Sequence, residues 1–175
     1  MRIYILVVCT AFLSLIANGQ KKYYFTQGWL FNAGDSISWA ECNYADTHWK
    51  KVNAGIPWQQ FGYEDLRQGW YRYHLIIPKT LKASVKEKGF IKINFGVAAE
   101  AAQYFLNGRG LGQSGSLPPR FNTADKTKTV EFYVSEPEIR WDTLNIISIR
   151  VYSTDSVQSG LVKGPVYYFI PAHLE

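Results

Sequence analysis

The sequence predicts an all-β fold, a sandwich or jelly roll of about eight or nine antiparallel strands. Three observations predict it. Short apolar–polar alternations recur along the chain, separated by Gly, Pro, Asn and Asp. Phe, Trp and Tyr make up 16% of the residues, and such side chains suit pleated surfaces better than helices. No window of about 11 residues carries apolar side chains at helical spacing.

The elements follow in order. Tyr24 to Phe31 alternates as a first strand, and Ser36 to Asp46 is irregular, with room for a helical turn. Trp49 to Asn53 is a short strand and Gly69 to Ile77 a strong one, ended by Pro78, which has no N–H for a ladder. Lys79 to Lys88 has the length of one short helical turn. Phe90 to Phe95 alternates with Ile91, Ile93 and Phe95 inward. Glu100 to Leu106 runs into Asn107-Gly108, a favoured hairpin turn, and Arg109 to Gly112 returns. Val130 to Val134, Leu144 to Tyr152 and Val166 to Ile170 complete the set. In the penultimate strand Ile147, Ile149 and Val151 share one face and Ser148, Arg150 and Tyr152 the other.

A chain of 175 residues holds one ordinary domain and is too short for two. A domain of about 150 residues hides roughly 70% of its unfolded surface, so a core needs no disulfide to stabilise it. At the N-terminus Arg2 precedes an apolar run from Ile3 to Ile16, then Ala17-Asn18-Gly19 before Gln20. That order describes a secretory leader over residues 1–19, with the domain over 20–175. The run falls short of the roughly 20 apolar residues a membrane span needs, so no stable span is expected after cleavage. Cys9 lies inside the leader, leaving Cys42 alone in the mature chain, which suits a periplasmic or secreted protein without disulfides. The net charge of +5 is scattered along the sequence. It forms no basic stripe, so nucleic acid is not an expected partner.

Several fragments stand at matched distances: Trp29, Gly34-Asp35, Ala45 to Trp49, Gly69-Trp70-Tyr71-Arg72, Tyr104 to Gly108, Asn145 to Val151, and Lys163 to Pro165. Taken in order, over residues 25–170, they resemble the galactose-binding-like jelly-roll domain of family 2 glycoside hydrolases, a domain similar to those at the front of extracytoplasmic sensor proteins. The resemblance implies a sandwich that holds a ligand or another domain and does no chemistry itself.

The residues agree with that implication. His48, His74 and His173 lie far apart and show no metal-ligand spacing. There is no G-x-S-x-G elbow, Cys42 has no local signature of a nucleophile, and Ser114-Gly115-Ser116 lacks the pattern of a phosphate loop. A carboxylate pair for glycoside hydrolysis is compatible with the 14 acidic residues, yet the barrel that accompanies this domain in family 2 hydrolases is not encoded here. No cofactor, metal or catalytic residue is expected. Asp46 is read as capping a tight turn that lets Trp49 enter the core, and Gly34-Asp35 as a turn. Trp70 and Arg72 fall on one face, Tyr71 and Tyr73 on the other. Asn107 is assigned to the turn and not to a ligand.

Strand direction alternates, so every second connection shares an end. Connections 54–68, 97–99, 114–126 and 153–164 are expected together, opposite 78–88, 107–108 and 135–142. The first end carries the expected ligand-binding residues Trp58, Tyr63, Arg67, Arg120, Asn122 and Asp125, beside Gln59, Glu64, Asp155 and Gln158. Sugar recognition needs a flat aromatic against C–H bonds and planar polar groups against hydroxyls, and this end supplies both. Two readings of Trp58 and Tyr63 stand: sugar platform, or lid folded over the core. If Trp58 is a lid, the site is expected on a concave sheet face around Arg72 and Arg150.

The expected function is an exported, non-catalytic carbohydrate-binding module for an oligosaccharide or polysaccharide in saccharide degradation. Two alternatives remain: a sensory module that pairs with a membrane signalling protein, and a docking domain of a split or truncated glycoside hydrolase.

Overall fold

The computed structural model describes residues 20–155 and 157–172. The leader expected over residues 1–19, with Cys9, and also His173 lie outside the described residues. Among the described residues twelve strands and one short α-helix form in chain order: β1 (Lys22–Tyr24), β2 (Trp29–Ala33), β3 (Lys50–Val52), β4 (Gln68–Ile76), α1 (Lys82–Lys88), β5 (Phe90–Asn94), β6 (Val97–Ala98), β7 (Ala101–Leu106), β8 (Arg109–Ser114), β9 (Glu131–Ser135), β10 (Leu144–Tyr152), β11 (Leu161–Lys163) and β12 (Tyr167–Phe169). One sheet has the order β3-β2-β4-β10-β7-β8, the other β1-β12-β5-β9, and β11 pairs β6 in a small ribbon. Every pairing between these strands is antiparallel, as the all-β sandwich requires.

The two nine-residue strands β4 and β10 pair along their length at the centre of the larger sheet. Their inward residues, among them Tyr71, Ile147, Ile149 and Val151, are fully buried against Ile91, Ile93 and Val134 of the smaller sheet. Gly69 marks a close approach on β4: a Cβ there would stand 2.6 Å from the Phe31 ring and 3.2 Å from Trp58.

The run Tyr24 to Phe31 is not one strand. Gly28, at φ +80°, bends the chain between β1 and β2, which belong to different sheets. Tyr23, Phe25, Trp29 and Phe31 all pack on the same core, so the same parity faces inward on both sides of the bend, interrupted by the exposed Gln27, while the hydrogen-bond partner changes. β6 and β11 occupy connections expected to be loops. The segment from Lys79 forms a 3₁₀ turn and then α1, ended by Gly89 in the left-handed region.

The outer face of the larger sheet is covered by residues 34–49. Trp39, Tyr44 and Trp49 pack there on Trp70, and Phe105 stacks on Trp70 at 5.6 Å. Asp46 does not act through its side chain as a turn cap. Its backbone oxygen accepts the Trp49 N–H, while its carboxylate pairs with Arg72 Nε at 2.7 Å and His74 Nε2 at 2.9 Å. Asp35 accepts from Trp70 Nε1 at 2.9 Å and from Arg150 through both oxygens, so Gly34-Asp35 is a turn with an ion pair attached. The turn at Asn107-Gly108 has positive φ at both residues, 54° and 83°, as the dipeptide predicts.

Candidate functional site

The four connections expected at one end do meet. A buried carboxylate joins two of them: Glu100 accepts from Ser153 Oγ at 2.9 Å, the Thr154 N–H and hydroxyl, and the Asp155 N–H at 3.2 Å. Burial pushes this carboxyl up, and the donors of Thr154, Ser153 and Asp155 more than offset it, holding the group below its usual value. The Glu100 backbone oxygen also receives the Ala124 N–H at 2.6 Å, which ties in the third connection. The fourth is tied by Arg67 Nη1 to the Thr154 oxygen at 2.7 Å, by Gln59 Nε2 to Ser159 Oγ at 3.1 Å, and by the Trp58 N–H to the Ser159 oxygen at 3.0 Å. β6 and β11 lie inside two of these connections and pair with each other, so the extra strands do not separate the loops. The outcome is a firm frame of backbone and carboxylate with side chains projecting from it.

Those side chains divide into two groups. Arg67, Arg120 and Asn122 are exposed. Asn122 is held through its backbone, which exchanges hydrogen bonds with Ser116 at 2.8 and 3.0 Å, and its side-chain amide bonds to none of the described residues. Trp58 is different. Its ring is completely buried, 5.9 Å from Phe31, in a 3₁₀ turn that starts after Pro57 and closes at Gly62 (φ 96°). It presents no face to a ligand, so the stacking role expected of it is withdrawn. Tyr63 is half-buried, its ring 5.1 Å from Phe31 and beneath the Lys50 ammonium at 5.6 Å. Asp125 uses its oxygens inside its own loop, accepting from the Thr127 N–H at 2.9 Å and hydroxyl at 2.6 Å and pairing Lys128 at 3.2 Å. Its pKa is pushed down to about 2 by the Thr127 and Lys128 bonds. That is the geometry of a turn former, which removes it as a free acceptor.

Sequence reasoning passed over Phe121. Its ring is 38% exposed and rests edge-on against Tyr152 at 5.0 Å, between Arg120 and Asn122. A lone aromatic in a polar, proline-containing loop was the available signal. Gln59, Glu64, Asp65 and Val157 surround an open depression of about 420 Å³ at the same end.

The face around Arg72 and Arg150 is closed. Arg72 is fully buried under residues 34–49, with its guanidinium 5.8 Å from the Tyr44 ring and 5.9 Å from the Trp49 ring. Arg150 is engaged by Asp35 and by Gln103 Oε1 at 3.1 Å. Among the described residues, no helix is long and apolar enough to cross a membrane.

An all-β sandwich with an aromatic plug behind one loop end is a widespread architecture, and comparison with known proteins narrows it. No family model matches the chain. It is 23% identical over 167 residues to the beta-galactosidase BoGH2A of Bacteroides ovatus, covering 86% of this chain and 18% of that enzyme. A beta-glucuronidase of Bacteroides uniformis superposes with a TM-score of 0.65 at 18% identity, again over 86% of this chain and 18% of the other. A glycosyl hydrolase family 2 member from Bacteroides cellulosilyticus gives 0.64 at 21% identity, covering 85% and 20%. A beta-glucuronidase of Bifidobacterium dentium gives 0.66 at 16%, covering 89% and 30%. The resemblance to the sandwich domain of family 2 glycoside hydrolases therefore holds in fold, and the chain spans 18% of the length of its curated relative.

Proposed function

We propose that this chain is an exported, non-catalytic carbohydrate-binding domain serving saccharide degradation, which meets its ligand at the loop end. The observation that carries the reading is the Glu100 frame. It fixes four connections while Phe121, Arg120 and Asn122 project outward and Arg67 braces the frame through Thr154, so an aromatic plane and planar donors stand pre-positioned for C–H and hydroxyl groups. Tyr63, half-buried, flanks this end. The similarity to a beta-galactosidase and a beta-glucuronidase supports a saccharide ligand. Export rests on Arg2, the Ile3–Ile16 run and the Ala17-x-Gly19 end. The small share of each relative that the chain spans favours a second reading, docking onto a glycoside hydrolase.

A glycan array followed by calorimetric titration separates the two. Phe121→Ala and Arg120→Ala should each weaken binding by about 1–2 kcal/mol with an unchanged melting midpoint. A chain that binds no plant, host or bacterial glycan would shift the function to docking.

A further inference from the structure

The cover formed by residues 34–49 stops short of β8. Gly110, Gly112 and Gln113 of that strand are exposed, and an open groove of about 310 Å³ runs over the outer face of β7 and β8. Register sets its side chains in two cross-strand rows: Arg150, Gln103 and Gln113 in one, Ser148, Phe105 and Gly110 in the next. Leu111, at the register shift, turns into the core, which keeps Gly110 and Gln113 on the same outward face.

The groove is prepared on both rows. Asp35 accepts from Arg150 Nε at 2.7 Å, and Arg150 Nη1 donates to Gln103 Oε1 at 3.1 Å. A guanidinium only donates, so this bond fixes which end of the Gln103 carboxamide is oxygen. Its NH2 bonds to none of the described residues, and neither does the Gln113 amide one strand across. Phe105 gives one ring face to Trp70, at 5.6 Å and 21° between planes. On its other side stands Gly110, where an added Cβ meets no atom within 4 Å. The φ of Gly110 lies outside the left-handed range, so the backbone does not demand glycine there. The missing side chain leaves room for a further ring against Phe105.

The flanking charges are matched, Arg150 by Asp35 and Arg109 by Glu138, and among the described residues no side chain lining the groove is charged. An apolar ring face beside two carboxamides suits a neutral pyranose, with C–H bonds on the ring and hydroxyls on the amides. The groove also points to the loop end. Phe121 rests on Tyr152, whose register partner Ala101 lies two residues before Gln103 and four before Phe105. At about 3.4 Å per residue, Phe121 and Phe105 stand roughly 14 Å apart along the strand, the length of about three pyranose rings, with the glutamines midway.

We propose that the groove over β7 and β8 extends the loop-end site, and that the ligand is a neutral oligosaccharide of about three rings or more, laid along the strands from Phe121 to Phe105. The saccharide class rests on the proposed function; the neutral charge, the length and the second set of contacts are new. Gln103 and Gln113 take hydroxyls of the middle ring, and Phe105 takes the C–H face of the far one.

An array of neutral saccharides from single units upward, with acidic chains as reference, tests this on the native chain and its variants. The native chain should retain neutral chains of three or more units and pass over single units and acidic chains. In titration with the best-retained trisaccharide, Gln113→Ala should lower affinity about fivefold to tenfold. Gly110→Val fills the groove with a residue that strands favour, so it should abolish binding while the melting midpoint holds or rises. Tyr133→Ala, on the other sheet, should change nothing. If Phe121→Ala loses binding and both groove variants keep it, the loop-end site stands and the groove is overturned. Retention of single units as firmly as trisaccharides, or a preference for acidic chains, overturns the extended neutral ligand. Retention of no glycan overturns the groove and the loop-end reading together.

Discussion

Arg72 places a permanent charge where no water reaches, and its surroundings account for it. Nε meets Asp46, Nη1 meets the Trp39 oxygen at 2.5 Å and the Glu41 oxygen at 3.0 Å, and only Nη2 lacks a partner. Removing one member of such a pair strands the other, so Arg72→Ala should cost about 3–5 kcal/mol in denaturant unfolding. Arg72→Lys should recover little, because an ammonium cannot reproduce the planar fork. The pair also has a pH signature. Burial pushes Asp46 up, but the bonds from Arg72 and His74 outweigh it and the folded pKa is depressed. Its contribution is therefore complete above the unfolded value of 3.8 and drains as pH falls through the lower folded value. Stability measured below pH 3.8 should decline less steeply in Asp46→Asn than in the native chain; equal slopes would remove Asp46 from the acid response. Alternation was enough to put Trp70 and Arg72 on one face. The pairing with Asp46, 26 residues away, was not legible, because no local pattern states which carboxylate a buried arginine meets.

At the scale of elements, the segment over the larger sheet and the β7–β8 hairpin each invite a test. Trp49 is 4% exposed, edge-on to Trp39 at 5.3 Å. Trp49→Ala should destabilise by about 3–5 kcal/mol, as large aromatic truncations do. Asn107 holds the hairpin twice, by adopting positive φ and by accepting the Ile146 N–H at 2.9 Å through its side chain. Asn107→Ala should cost about 1–3 kcal/mol and leave glycan affinity unchanged in the folded fraction. Loss of binding by a folded variant would make the turn part of a site. β5 and β7 were legible because buried positions alternate with less buried ones, whereas β4 and β10 are buried on both faces for most of their length and were legible from their length and from apolar residues alternating with polar ones. β6 and β11 were not, since two or three residues carry no period. Trp58 shows the limit for the site: an aromatic in a loop looks alike in sequence whether it faces solvent or the Phe31 ring, and Pro57 and Gly62 decide the matter through backbone geometry.

For the whole molecule, the strand count carried further than any single residue. Parity brought residues 54–68 and 114–126 to one end across long separations, because antiparallel pairing fixes direction even where side-chain roles are hidden. The same topology makes the last strand indispensable. β12 sits between β1 and β5, so the first and last strands of the described chain depend on each other. Tyr168 is 3% exposed and stacks on Tyr23 at 4.7 Å, and the Phe25 N–H reaches the Val166 oxygen at 3.0 Å. A chain ending at Lys163 would leave β1 without a partner, turn β5 into an open edge and uncover Ile91 and Ile93, both fully buried in the intact sandwich. Each exposed large aliphatic forfeits about 1.5–3 kcal/mol, which against a total stability of roughly 5–15 kcal/mol leaves no margin once Tyr168 and Val166 go as well. The shortened chain should therefore show no cooperative unfolding transition by circular dichroism and should bind a hydrophobic dye. A sharp transition near the native midpoint would mean that the larger sheet and its covering segment fold alone, with the smaller sheet only an attachment to it.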